Sequence, residues 1–200
     1  MGKTVFNLKK CFIYWPHPSP PPPFLCEEAS RRGLEIVRHG GLSLFGSVVG
    51  RDQAAMSQIL LDKIANLLPA LNMITTNLDP QRALLVLRAC APSRLTHCLR
   101  AATPGIALAA ATLLDDMIVR SICTIMELDL LSELDATART RLHLPLRHGG
   151  AGIQSLAFIS SAAFVAGFSL ALPRLVLIFP CLLDSAAPLL PLVFRPSIRP

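Results

Sequence analysis

The sequence predicts a mainly α fold, a helical bundle-like body with a few short strands near the N-terminus and irregular, proline-rich ends. Three observations carry this. Hydrophobic residues make up 52% of the chain but aromatics only 6%, and Leu and Ala dominate the apolar set. These residues favour helices, and the β-branched and aromatic residues that suit strands are thin. From Asp52 onward, apolar residues recur at three- and four-residue steps, the spacing of a buried helix face. Prolines gather in residues 16–23 and again beyond residue 172, where they exclude long regular elements.

Three regions follow. Residues 1–30 read as an irregular proline-rich head, with one short strand expected between Val5 and Trp15. The run Pro16-His17-Pro18-Ser19-Pro20-Pro21-Pro22-Pro23 ends that strand and favours polyproline II. It contains PxxP spacing that an SH3-like groove could take, but a stiff spacer is the preferred reading. Residues 31–172 form the helical region. Within it, Gly40, Gly41, Gly46 and Gly50 break the apolar runs of residues 33–50 into two short strands or a hairpin-like loop. Asp52 is a candidate N-cap, and Met56, Ile59, Leu60, Ile64, Leu67, Leu68 and Leu71 mark the inner face of the helix it opens. Asp79-Pro80 is a second start signal, a capping carboxylate with proline at the first helical position; Leu84, Leu87 and Ala91 continue that face. Pro92 interrupts, and a short helix through Leu95, Cys98 and Leu99 follows. Thr103-Pro104 opens the longest candidate, to about Glu127, with Leu113, Met117, Ile118, Ile122 and Ile125 inward. Ser132–Leu142 gives a further, charge-rich helix. The segment after it, through Leu144 and Pro145, is extended and closes on Gly149, Gly150 and Gly152.

Ala151 to Leu172 carries no charged residue over 22 positions, enough to cross a bilayer, which takes about 20 apolar residues. Its serines, Gln154 and Gly167 suit a soluble interior, so a buried core helix is preferred to a membrane span. Residues 173–200 are apolar but interrupted at Pro173, Pro180, Pro188, Pro191, Pro196 and Pro200, which predicts a loosely ordered tail with no long helix.

No catalytic constellation is visible, and neither a metal nor another cofactor is expected. The six cysteines, Cys11, Cys26, Cys90, Cys98, Cys123 and Cys181, form no C-x-x-C pair and suit reduced thiols in an intracellular protein, nuclear or cytoplasmic. Neither G-x-S-x-G nor G-x-x-x-x-G-K-[ST] occurs. Adjacent Asp115 and Asp116 have the look of paired metal ligands, but their flanks read as helix, so a polar stripe on an amphipathic helix is preferred. The Gly149-Gly150-Ala151-Gly152 cluster could hold an anion at a helix start; a tight turn is preferred. The net charge of +6 is compatible with nucleic acid or an anionic membrane surface, and equally with a solvated helix face. Arg82, Arg88, Arg94 and Arg100 recur every six residues, which is not a helical repeat. With Pro92 between them they can still converge on one face, and together with Arg147 they are the candidate phosphate contacts.

Several segments line up with one family. The stretch from Arg82 through Ala91-Pro92-Ser93-Arg94 to Arg100 resembles the segment behind the polymerase core of non-LTR retrotransposon reverse transcriptases. So does Leu144-Pro145-Leu146-Arg147-His148-Gly149-Gly150-Ala151-Gly152-Ile153 with the small-residue helix after it. Gly33–Val37 and Leu44–Gly50 resemble the strand and G-x-x-x-G turn just after the palm, and Asn7-Leu8-Lys9-Lys10-Cys11 more faintly resembles the segment behind the catalytic aspartates. The resemblance covers about residues 1–172. It implies a thumb and connection region whose metal-binding aspartates lie upstream, hence a truncated, catalytically incompetent fragment able at most to contact an RNA or DNA backbone through arginines. The alternative is a small membrane-associated helical protein anchored by residues 151–172.

Overall fold

Proline and capping residues decide where most of the helices begin. In the computed structural model, which describes residues 11–15, 17, 19–38, 40–44, 46–128 and 136–178, the order is β1 (Phe12–Tyr14), α1 (Pro23–Arg32), β2 (Glu35–Val37), β3 (Gly41–Leu44), β4 (Ser47–Gly50), α2 (Gln53–Ala65), α3 (Leu68–Asn77), α4 (Pro80–Cys90), α5 (Ser93–Ala101), α6 (Pro104–Ile125), α7 (Ala136–His143) and α8 (Leu156–Ile178), with a 3-10 turn at Leu146–His148. The fold is mainly α, as the composition predicts. The Asn7–Lys10 segment, the start of the Ser132–Leu142 helix, Cys181 and the tail beyond residue 178 lie outside the described residues.

The irregular head is shorter than the sequence suggests. Pro22 has the extended backbone of polyproline II (φ −56°, ψ 145°), but Pro23 stands in the first turn of α1. There its missing N–H costs nothing and its fixed φ suits the helix. Helix α1 then links β1 to β2, which pair in parallel (Ile13 opposite Ile36). The glycine-broken segment, expected as two short strands or a hairpin-like loop, yields three strands, the last two forming an antiparallel hairpin with Leu44 opposite Ser47. Its turn needs Gly46, whose φ of 79° is left-handed. The hairpin lies close on α2: a Cβ at Gly41 would stand 2.8 Å from Met56 Cγ.

Asp52 caps α2 by accepting from the N–H groups of Ala54 and Ala55 at 2.9 and 3.1 Å. The single helix expected through Leu71 is two, because Pro69 cannot continue a helix and instead sits in the first turn of α3. The change of direction also leaves Leu68 50% exposed, against the inward position its spacing suggests, while Met56, Leu60, Ile64 and Leu71 are buried. Asp79 caps α4 through the Arg82 N–H at 3.1 Å, and Leu95, Cys98 and Leu99 of α5 are fully buried.

Helix α6 is the centre of the bundle, packed against α2, α3, α4, α5 and α8. Its Leu114, Ile118 and Ile122 are buried, and it ends at Met126, with Glu127 in the left-handed region (φ 54°). The longest described helix is α8, by one residue. It runs through Pro173 to Ile178, overriding the expected break at the start of the tail. Pro173 is exposed, so the lost N–H bond falls on the solvent side. Nor is α8 a buried core helix: only Leu156, Ser160 and Leu172 are buried, while Phe158, Leu170 and Leu177 are 89, 78 and 82% exposed.

Helices α5 and α8 approach closely because Gly167 has no side chain; a Cβ there would run into the Arg100 carbonyl oxygen. Gly167→Ala is expected to push the two helices apart and cost about 1–3 kcal/mol. Gly105→Ala, in the first turn of α6 with open space around it, should be neutral or stabilise by up to about 1 kcal/mol. Chemical denaturation of both variants checks this; equal stability would remove the close approach from the account.

Candidate functional site

The two adjacent aspartates of α6 are parted by the helical twist. Asp115 is 9% exposed and turns toward the start of α8, where it accepts from the N–H groups of Leu156 (2.9 Å) and Ala157 (3.0 Å) and from the Ser155 hydroxyl (2.8 Å). That hydroxyl in turn accepts from the Phe158 N–H at 3.2 Å. A buried carboxylate therefore satisfies the otherwise unpaired donors of a helix start, with the helix dipole favouring its charge. The residue expected as part of a polar stripe is instead a tertiary helix cap. Asp116 faces Arg139 at 3.3 Å, both about 40% exposed, a pair of small energetic weight.

The same arrangement accounts for the glycine cluster. Gly149 (φ 75°) and Gly152 (φ 69°) turn the chain, and a Cβ at Gly150 would collide with the Leu144 carbonyl oxygen. The cluster is a tight turn. The anion at the start of α8 is the chain's own Asp115 carboxylate.

A second constellation joins three elements at the β3–β4 turn. The carbonyl of Gly46 accepts from Lys63 Nζ of α2, from His97 Nε2 (3.1 Å) and from Cys98 Sγ (3.1 Å) of α5. Lys63 Nζ also lies 3.5 Å from Cys98 Sγ, and His97 Nε2 lies 3.4 Å from it. A Cys–His pair invites a nucleophile reading, but the chemistry runs against it. Burial pushes the Cys98 thiol up from its ordinary value, with Lys63 opposing, so the neutral thiol prevails. The Gly46 carbonyl can only accept, so His97 Nε2 is its donor and has no lone pair to take the thiol proton. The cluster is a clasp holding the hairpin to α2 and α5.

Above the clasp opens a depression of about 440 Å³ lined by Gly46, Lys63, Cys90, Ser93, Arg94 and His97. Among the described residues its lining has three basic side chains and no carboxylate. Among the five arginines singled out by sequence, Arg94 is the one in this depression. Arg82 is ion-paired to Asp79 at 3.2 Å. Arg88 reaches the turn that carries Arg147, its Cδ lying 3.5 Å from where a Gly152 Cβ would be. Arg147 Nε donates to His148 Nε2 at 3.2 Å, and Arg100 is exposed above the α5–α8 crossing. The six-residue spacing thus spreads the arginines over several surfaces. Sequence reading does not single out Lys63 or His97: Arg94 and His97 are a visible i,i+3 pair on α5, but Lys63 arrives from another helix and leaves no local signal.

Removing the buried cap should be costly, since three donors lose a charged acceptor. Asp115→Ala is expected to destabilise by about 2–4 kcal/mol, whereas Asp116→Ala should fall within about 0.5 kcal/mol of the unmodified chain. Denaturant titration of the two variants compares them; similar small effects would mean that the cap does not hold α8. No family model, curated protein or solved structure matches this chain.

Proposed function

We propose that this chain is a non-catalytic supporting unit that contacts the phosphate backbone of nucleic acid, of the kind that follows the palm in non-LTR retrotransposon reverse transcriptases. The observation that supports this best is the basic depression beside the hairpin clasp. No carboxylate lines it among the described residues. Lys63 and His97 are partly spent on Gly46, which leaves the exposed Arg94 guanidinium with planar, paired donors suited to phosphate oxygens. Arg82, Arg100 and Arg147 are exposed as well, and the net charge of +6 adds a long-range attraction. Contacts of this type give affinity without sequence choice and weaken with salt.

A second reading is favoured by α8. It is long and apolar enough to cross a membrane, with a mean hydropathy of 1.8 over a window only 17% buried. Its exposed Phe158, Leu170 and Leu177 suit the hydrocarbon boundary of a bilayer, and the basic excess suits anionic lipid.

Reversing charge at Arg94 and Arg100 separates the two. Under the nucleic-acid reading, Arg94→Glu with Arg100→Glu lowers affinity for an RNA–DNA duplex by about tenfold or more and flattens the salt dependence by about one unit per residue. Unchanged duplex binding refutes that reading. Flotation with anionic vesicles that survives these substitutions but is lost in Phe158→Asp with Leu170→Asp would favour the membrane instead.

A further inference from the structure

Between α3 and α6, sharing no lining residue with the basic depression, lies a groove of about 360 Å³. Its apolar surface comes from Leu68, Leu113 and Met117. Three hydroxyls line it too, but their protons are spent on backbone carbonyls of their own helices: Thr75 on Asn72 (2.9 Å), Ser121 on Met117 (2.9 Å) and Thr124 on Arg120 (3.1 Å). A threonine bonded back in this way turns the rest of its side chain to other contacts, so the walls offer few free donors.

Beside the neutral Asn72 amide, the exception is Arg120. It sits at i+3 from Met117 on the same face of α6, is exposed, and is the only charged residue in the lining. Among the described residues no carboxylate pairs with it. A guanidinium with no carboxylate partner among the described residues, beside an apolar trough, suits an anion carrying an apolar body, and a planar carboxylate matches its paired donors. At about 360 Å³ the groove lies at the small end of ligand-site volumes, the scale of a medium-chain alkanoate. We infer that this groove binds a small monocarboxylate with an unbranched apolar chain, the carboxylate held in two parallel bonds by Arg120 and the chain laid along Leu113 and Met117.

The test uses the full chain and sodium octanoate, followed by amide and arginine NMR shifts during titration. Saturable binding is expected, with octan-1-ol, which has the same chain and no charge, binding about tenfold more weakly. Arg120→Gln should weaken octanoate by a similar factor while leaving the melting temperature unchanged, because Arg120 is exposed. Absence of saturable binding overturns the proposal. So does octanoate binding that is insensitive to Arg120→Gln, which would place the ligand elsewhere, for example on the apolar face of α8. Duplex affinity measured in the same Arg120→Gln protein should not change, since this groove is separate from Arg94; a loss there would refute a site confined to the groove.

Discussion

The carboxylate of Asp115 is the contact on which the arrangement of the C-terminal half depends. The start of a helix leaves N–H groups with no partner inside the helix, and burying them bare is costly. Asp115 meets this need for α8 from the middle of α6. The cap fixes where α8 begins and seats it on the central helix. The preceding chain is drawn in as well: Ile153 is 1% exposed, its N–H donates to Leu142 and its carbonyl accepts from His143 Nδ1 at 3.0 Å. The glycine turn and α7 are thereby tied to the same point. Gly167 then lets α8 come down onto α5 without a side chain between them.

The Gly46 clasp does the corresponding work at the other end. A two-stranded hairpin alone is marginal in water. Here its turn carbonyl is gripped by groups from α2 and α5, and its face lies against Met56. The clasp assembles basic groups at the surface as a by-product of holding the hairpin. That is how Lys63 and His97 come to stand beside Arg94. Burial of Cys98 keeps its thiol protonated, so the cluster grips without being a nucleophile.

The bundle leaves its surfaces chemically distinct. One side presents Lys63 and Arg94 in a depression with no carboxylate among its described lining residues, another an apolar groove with a single guanidinium, and α8 presents large side chains to the exterior along much of its length. An apolar helix half-seated in this way is uncommon for a surface without a partner. It is the physical reason that two readings stand for the chain as a whole. Backbone phosphate and lipid both reward positive charge, but only lipid rewards Phe158 and Leu177.

Local chemistry determined a good part of this architecture. Asp52, Asp79-Pro80 and Thr103-Pro104 mark helix starts because capping and proline geometry act over a few residues, and the apolar spacing of Leu95, Cys98 and Leu99 marks a buried face. Proline is less legible where position within the turn decides its effect: Pro23 and Pro69 open helices, and Pro173 is carried inside one. Tertiary structure alone decided the roles of Asp115, Lys63 and Gly46. They meet Ser155, Cys98 and His97 across 40, 35 and 51 residues of chain, and nothing in a local pattern announces a bond between segments so distant. It also decided which side of α8 is covered, since a helix apolar all round has no periodicity to tell the inner face from the outer.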